Sequence, residues 1–456
     1  MDGIDAAPFA AIASDGFSRP GTVSAPCAVV FRDQLFIGTA TDLSWASGDA
    51  PAIMRLDEES ATWVVAYEPP MVAAGPRSTV PERQAVAAGT SVLATLGIGG
   101  AGEAGAEVPR DVGYSAMAVF QGASDPQPAL YVATMSRGGA LILRSADGVT
   151  FEPVAAPGLG DPDIFSFRCL TAFDGQLFAA ACGTVSDTDL DPDVAPRAEV
   201  YVSADPASGV WRPAAEVGFG DPDNASIHTL CVADRRLYAG THNPKRGFQV
   251  WATEAAREAP FVWTCVLRDG AGRFNHSLVV TAMAEFGGAL YVGGGVNGPG
   301  TDPVYNIGPA AAEVIRVWPD GTWDLVAGQP RFSPQGLKVP QSLAGPGLDD
   351  VFNAAVPAMC VHEGALYLGT RQWEAYQAIA NGADAVGGAQ IWRSGDGETF
   401  TLLMEDGLGN PACVGIVALL STPLGLLAGT ENHSERLALA GARVPLPAGC
   451  SVLIGG

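Results

Sequence analysis

The sequence predicts an all-β fold, a seven-bladed β-propeller with four antiparallel strands in each blade. Three observations carry that expectation. A strand phrase of the form LYxGT recurs seven times, a strand–turn–strand phrase follows most copies, and the two ends of the chain complement each other.

The copies of the first phrase are FRDQLFIGT (31–39), PALYVAT (128–134), FDGQLFAAACGT (173–184), ADRRLYAGT (233–241), FGGALYVGG (286–294), HEGALYLGT (362–370) and PLGLLAGT (423–430). The second phrase reads LILRSADGVTFEPV (141–154), VYVSADPASGVWRPA (200–214), VWATEAAREAPFVWTCV (250–266), VIRVWPDGTWDLV (314–326) and IWRSGDGETFTLL (391–403). Apolar residues alternate or run together over short stretches, and Gly, Asp and Pro punctuate them, which is the pattern of strands joined by tight turns. No helical period of useful length appears.

A ring of repeats leaves an exposed edge unless its ends share a blade. The last repeat stops at its third strand, CSVLIGG, and the missing strand appears at the other end, where FAAIASDGFSRP (9–20) aligns with FTLLMEDGLGNP (400–411). The N-terminal strand is therefore expected to close the last blade, making residues 1–456 one domain. Uneven repeat spacing marks insertions at about 70–112 and 327–350. Loops of this length in a compact repeat fold are expected to cover a site.

Composition narrows the function. The formal net charge of −24 opposes nucleic acid and anionic membrane surfaces, since both need clustered Lys and Arg. A small-molecule substrate is the expected partner; oligomeric state is not specified. The N-terminus lacks the basic start and apolar core of a signal peptide, so a cytoplasmic location is expected. The apolar stretch from Cys413 to Thr430 is broken by Pro423 and repeats the strand phrase, so it reads as two strands. Eight cysteines occur without a CxxC pair and are expected in the core. GIGGAG (97–102) has the form GxGxxG, but no helix-forming segment follows it, so it reads as a glycine loop. No cofactor motif is found, and a divalent metal has no HxH, HExxH or EF-hand spacing behind it.

The candidate site lies on the rim where outer strands lead to the next inner strand, in GLGDPDIFSFR (158–168), GFGDPDNASIH (218–228), AGRFNHS (271–277), GPGLDDVFNA (345–354) and GLGNPACV (407–414). The loops after LYxGT share this face, and the two sets ring the mouth of the central channel. Four of the five histidines fall there, His228, His242, His276 and His433; His362 lies in the opposite turn. Neutral imidazole is a general base near pH 7. Arg168, His228 and His276 are the catalytic candidates. Asn224, His242, Asn275, Tyr305, Asn353, Arg371, Trp373, Glu374 and Tyr376 are the candidates for substrate binding, with Trp373 and Tyr376 as an apolar wall. Glu431, Asn432 and His433 occupy the corresponding loop of the last repeat.

RSADGVTF, RSGDGETF and the looser WPDGTW resemble the Asp-box turns of BNR-repeat propellers, in which Ser, Asp and Gly tighten a hairpin; no Arg-Ile-Pro segment or arginine triad extends the likeness to sialidases. The phrase GFGDPDNASIHTLCVADRRLYAGTHNPKRGFQVW is similar to a broad group of bacterial propellers. The pattern also resembles the propeller part of enzymes that alkylate resorcinol rings in cyclophane formation. That resemblance implies an inner-strand arginine at Arg168 and a rim tyrosine at Tyr305 or Tyr376. The calcium-binding accessory domain of those enzymes has no counterpart here.

The function expected from all this is a small-molecule enzyme working at the channel mouth, in natural-product tailoring by alkylation, cyclisation or lyase-type chemistry. Its rivals are a carbohydrate-binding lectin, which should repeat its binding residues in every blade, and a protein-interaction scaffold.

Overall fold

The computed structural model describes residues 9–42, 49–57, 59–73, 107–136, 138–183, 197–256, 258–296, 300–301 and 308–455. These residues are organised as four-stranded antiparallel meanders. Their first strands are Thr22–Phe31 (β1), Gly113–Phe120 (β2), Ile164–Phe173 (β3), Ser226–Ala233 (β4), Val279–Phe286 (β5), Asn353–His362 (β6) and Cys413–Thr422 (β7). Each first strand pairs antiparallel with the strand that carries the LYxGT phrase. Third and fourth strands follow outward in sequence order. In the last meander the third strand, Val452–Gly455, pairs with the N-terminal strand Ala10–Ala13, with Ala10 opposite Ile454.

Backbone hydrogen bonding does not stop at the edge of each meander. Single residue pairs link neighbours, Ala40 with Gly113, His242 with Val279, Arg371 with Gly415 and Ser24 with Glu431. The strands consequently group into sheets of sixteen, four and eight rather than into separate four-stranded sheets, which corrects the simpler picture drawn from the repeats. Packing continues where hydrogen bonding ends: each of β1 to β7 lies against the next, and β7 lies against β1.

The cores explain why the repeats need one another. Phe36 and Ile53 of the first meander bury with Tyr114, Leu130 and Leu143 of the second. Tyr131 and Ile142 of the second bury with Phe167 and Leu177 of the third. The alternation continues to the last core, where Leu427 and Val452 pack on Leu35 and Ile37 of the first. Each buried Leu, Ile or Phe contributes roughly 1.5–3 kcal/mol, so most of a meander's stability is held jointly with its neighbours.

Local chemistry fixes the turns. In the meander of β2, the Gly148 N–H donates to Ser145 Oγ at 2.9 Å, and Val149 and Thr150 donate to Asp147 Oδ1 at 2.8 and 2.7 Å. Those backbone donors, Thr150 and then Val149, hold the Asp147 carboxyl down to about 2. Ser394 and Asp396 repeat the arrangement.

The aligned stretches at the two chain ends share a second device, an Asp-Gly pair in the left-handed region: φ is 51° and 60° at Asp15 and Gly16, and 53° and 56° at Asp406 and Gly407. Gly16 and Gly407 donate to the carbonyls of Cys450 and Ala389. A Cβ at Gly407 would lie 2.7 Å from Cys413 Cβ, so the close approach requires glycine.

Two short helices appear where the sequence shows no helical period, α1 (Glu374–Ala380) and α2 (Ser434–Leu439). At seven and six residues they are too short to generate one. They pack together through Ala375, Ile379 and Leu437 above the last two meanders. Between the fifth and sixth meanders, part of the second insertion forms the hairpin Arg331–Ser333 with Gly336–Lys338. The GIGGAG loop lies outside the described residues. All eight cysteines are free, and burial raises the thiols of Cys27, Cys413 and Cys450 to about 12. No helix among the described residues is long and apolar enough to cross a membrane.

Candidate active site at the axis

Every first strand carries a β-bulge at the corresponding place. The pairing register skips between Tyr114 and Ala116, Phe167 and Cys169, Ile227 and Thr229, Val280 and Ala282, and Ile416 and Ala418; wider shifts occur between Ser24 and Cys27 and between Ala355 and Ala358. A bulged residue leaves the ladder and its side chain is re-aimed. Pro26, Ser115, Arg168, His228, Thr281, Pro357 and Val417 sit at these bulges, and all of them line one cavity of about 280 Å³. Only Arg168 and His228, on adjacent strands, carry titratable groups.

A second tier comes from the residue that follows the LYxGT phrase. Ala40, Met135, Arg371 and Glu431 hold this position and line the same cavity, joined by Cys182 from within the third copy and by Arg436 from α2. Three guanidinium groups therefore face the space, against Glu431 and the Asp42 carboxylate that Arg436 Nε reaches at 3.1 Å.

Arg168 Nη1 lies 3.5 Å from His228 Nε2. A guanidinium only donates, so a hydrogen bond between them requires the imidazole lone pair on Nε2. Burial, then the positive charge of Arg168, then His242 and Arg371 hold His228 well below its ordinary value of 6.5. His228 is thus a neutral base beside a permanent cation. Their contact is long for a hydrogen bond.

Across the cavity, Arg371 forks onto Glu431 Oε2 through Nη2 at 2.9 Å and Nε at 3.1 Å. Glu431 Oε1 lies 3.1 Å from His433 Nε2, and His433 Nδ1 lies 2.8 Å from the Tyr376 hydroxyl. A carboxylate only accepts, so Nε2 carries the proton and Tyr376 donates to Nδ1. Burial alone would raise Glu431; Arg371, His433 and Arg436 more than offset it and hold the carboxyl well below the usual range. Burial keeps the Tyr376 hydroxyl protonated.

The structure brings some of the sequence candidates together and separates others. Arg168, His228 and Arg371 line the cavity; Tyr376 reaches it through His433 and Glu431. His276 and Asn275 are exposed on their loop and do not line it. Asn224 and Asn353 hold the scaffold. Asn224 Nδ2 donates to Gly218 O and Gln249 Oε1, both at 2.9 Å, and Asn353 Nδ2 donates to Gly347 O at 2.9 Å and Gln390 Oε1 at 2.7 Å. His242 is buried beside Val279 at the junction of two meanders. Trp373 packs on Phe352 and near Ala310 rather than walling the cavity. Glu374 begins α1, where burial and then Asp350 and Asp406 raise its carboxyl. Tyr305 and most of the first insertion, 74–106, lie outside the described residues, although Val112 at the insertion's end lines the cavity.

Sequence reasoning set Glu431 and His433 aside and missed Arg436 and Asp42. The signal for Glu431 was present: it follows LYxGT in its repeat as Arg371 does in the preceding one. Arg436 and Asp42 sit in segments without a repeat counterpart. Among the described residues, no group of three His, Cys, Asp or Glu side chains is placed to hold a metal ion.

No protein-family model matches the chain, and no curated protein matches it. The expected likeness to BNR-repeat and cyclophane-forming proteins therefore has no support from families. Among solved structures the chain is similar to a GH74 xyloglucanase from Xanthomonas campestris, at 15% identity and a TM-score of 0.48 over 93% of this chain and 52% of that one. It is similar to a GH74 enzyme from Niastella koreensis at 14% identity and a TM-score of 0.48, over 93% and 53% of the two chains. A prolyl endopeptidase structure matches at 13% identity and 0.43 over 86% and 44%. These are propeller-type folds. The chain spans about half the length of the two GH74 proteins, and at these scores the likeness carries nothing about function.

Proposed function

We propose that the chain is a seven-bladed β-propeller, and that it is an enzyme acting on one small anionic molecule in its axial cavity. The first-strand contacts that return from β7 to β1, and the cores shared by successive meanders, support the seven blades. The observation that carries the enzyme reading is the pairing of Arg168 with a neutral His228 at two neighbouring bulges, with no titratable group at the other five.

In this reading the substrate's oxyanion displaces His228 from Arg168 and is held by the guanidinium. His228 Nε2, so released, accepts a proton from the adjacent substrate atom. The Glu431–Arg371 pair keeps the opposite wall charged and rigid. A proton step of this kind serves alkylation, cyclisation and lyase chemistry alike, and natural-product tailoring is the setting proposed for it. The bulged residues differ from blade to blade, which fits one site rather than the repeated sites of a lectin.

The test is proton NMR in D2O of the full-length protein with a panel of small carboxylates, phenols and sugars. At least one acid or phenol should exchange a carbon-bound proton or turn over, and His228→Gln should slow that step by about 10²–10⁴-fold. Turnover of a panel member that survives both His228→Gln and Arg168→Gln would refute the assignment.

A further inference from the structure

The hydroxyl groups beside Arg168 have their protons already committed. Strand β3 lies between β2 and β4, so Arg168 is flanked by His228 on one side and by Ser115, at the bulge of β2, on the other. Ser166, two residues before Arg168 in β3, lines the same part of the cavity. Ser115 Oγ lies 2.9 Å from the Phe167 carbonyl oxygen and 2.8 Å from Ser166 Oγ. A carbonyl only accepts, so the Ser115 hydroxyl donates to Phe167 O; having one proton, it accepts from Ser166. The bonds therefore run from Ser166 to Ser115 to Phe167 O, and both protons stay inside the wall. What Ser166 can offer a ligand is lone pairs, on a residue only 3% exposed. The same holds elsewhere in the lining, where Thr281 Oγ1 donates to Val356 O at 2.8 Å and Thr41 Oγ1 donates to Val112 O at 3.2 Å.

From this we infer that the substrate is a hydroxy acid, with a carboxylate held by Arg168 and, on the same molecule, a free hydroxyl that donates to Ser166 Oγ. The inference rests on the functional reading above and adds the substrate class to it. A ligand acceptor at Ser166 gains nothing, because the serine would have to leave Ser115 to meet it; a ligand donor adds a hydrogen bond and breaks none. An ammonium group would also donate, but it would stand beside the Arg168 guanidinium, and like charges in a partly desolvated site repel. A hydroxyl is the donor without that penalty. Arg168 and the serine pair thus read a ligand as one negative charge and one neutral donor.

Calorimetric titration of the full-length protein with butanoate, with 2-, 3- and 4-hydroxybutanoate, and with the oxo and amino acids of the same skeleton tests this. At least one hydroxybutanoate should bind roughly five- to tenfold more tightly than butanoate, the factor of one added hydrogen bond. Its oxo counterpart, which only accepts at that position, should bind no more tightly than butanoate, and its amino counterpart should bind less tightly than the hydroxy acid. Ser166→Ala should bring that hydroxy acid to within about twofold of butanoate, and Arg168→Gln should weaken every carboxylate. The wild-type comparison stands whether or not the serine variant folds. Carboxylates that bind through Arg168 without favouring any hydroxy acid over its oxo or amino counterpart would overturn the hydroxy acid and leave the site assignment standing, as would a preference that survives Ser166→Ala. Failure of every carboxylate to bind would overturn both.

Discussion

Arg371 and Glu431 occupy the same position in consecutive repeats, the residue after LYxGT, and their side chains meet at 2.9 Å across the junction of the last two meanders. One repeat supplies the cation and the next the anion. The pair joins the meanders that carry α1 and α2, and it forms one wall of the cavity.

Removing Glu431 takes away the buried carboxylate that Arg371, His433 and Arg436 share. Glu431→Gln should destabilise the fold on the order of 3 kcal/mol, read by urea titration. It should also change the response to acid. The folded carboxyl titrates below its unfolded value of about 4.3, so its contribution is complete above that pH and is lost as the pH falls through the folded value. Melting temperatures of wild type and Glu431→Gln should therefore converge as the pH is lowered from about 5 towards 3.

His228 gives a second pH signature. Its folded value lies well below 6.5, so the unfolded chain binds the proton first, and stability present above about 6.5 is lost as the pH falls through that value towards the folded one. In NMR spectra the His228 ring should show no titration between pH 6 and 8. His228→Gln should flatten the stability profile between about pH 5 and 7.

The scaffold role of Asn224 and Asn353 separates stability from binding. Each holds a buried glycine carbonyl and a glutamine whose other end binds an aspartate, Asp221 for Gln249 and Asp350 for Gln390. Asn224→Ala or Asn353→Ala should cost about 1–3 kcal/mol, because each leaves buried acceptors unmatched. Ligand affinity of the folded fraction should be unaffected, as measured by calorimetry below the melting transition.

The second insertion is tied down by charge. Glu313, buried on a third strand, accepts from Arg331 Nη1 of the hairpin at 3.0 Å and faces Arg273 Nη1 at 3.2 Å. Arg331→Ala should release the hairpin, seen as faster limited proteolysis within 331–338, with the rest of the chain remaining resistant.

The fold was legible because its repeats are. Strand phrases, turn residues and the complementary ends are local patterns, and Ala10 pairs with Ile454 as the alignment of residues 9–20 with 400–411 requires. Arg168 and His228 were legible for the same reason, being the charged or basic residues near the start of their inner strands. The bulge that turns them to the axis was not, since an extra residue in a strand leaves no composition signal. Asn224 and Asn353 looked like rim polar groups because a sequence does not show which hydrogen bonds a side chain has already made. The link from His433 to Tyr376 was not legible because the helix that places Tyr376 against it spans seven residues and leaves no period to read.

One measurement tests the central claim, that the axial cavity is where the ligand binds. Val417 is a bulged residue lining the cavity, and Val417→Trp should fill it. Thermal melting of wild type with the acid or phenol of the panel that reacts, at 100 times its dissociation constant, should show stabilisation of about 2.7 kcal/mol, and the shift should vanish in Val417→Trp. A variant that folds as the wild type does and still shows the full shift would place the ligand elsewhere and contradict the account.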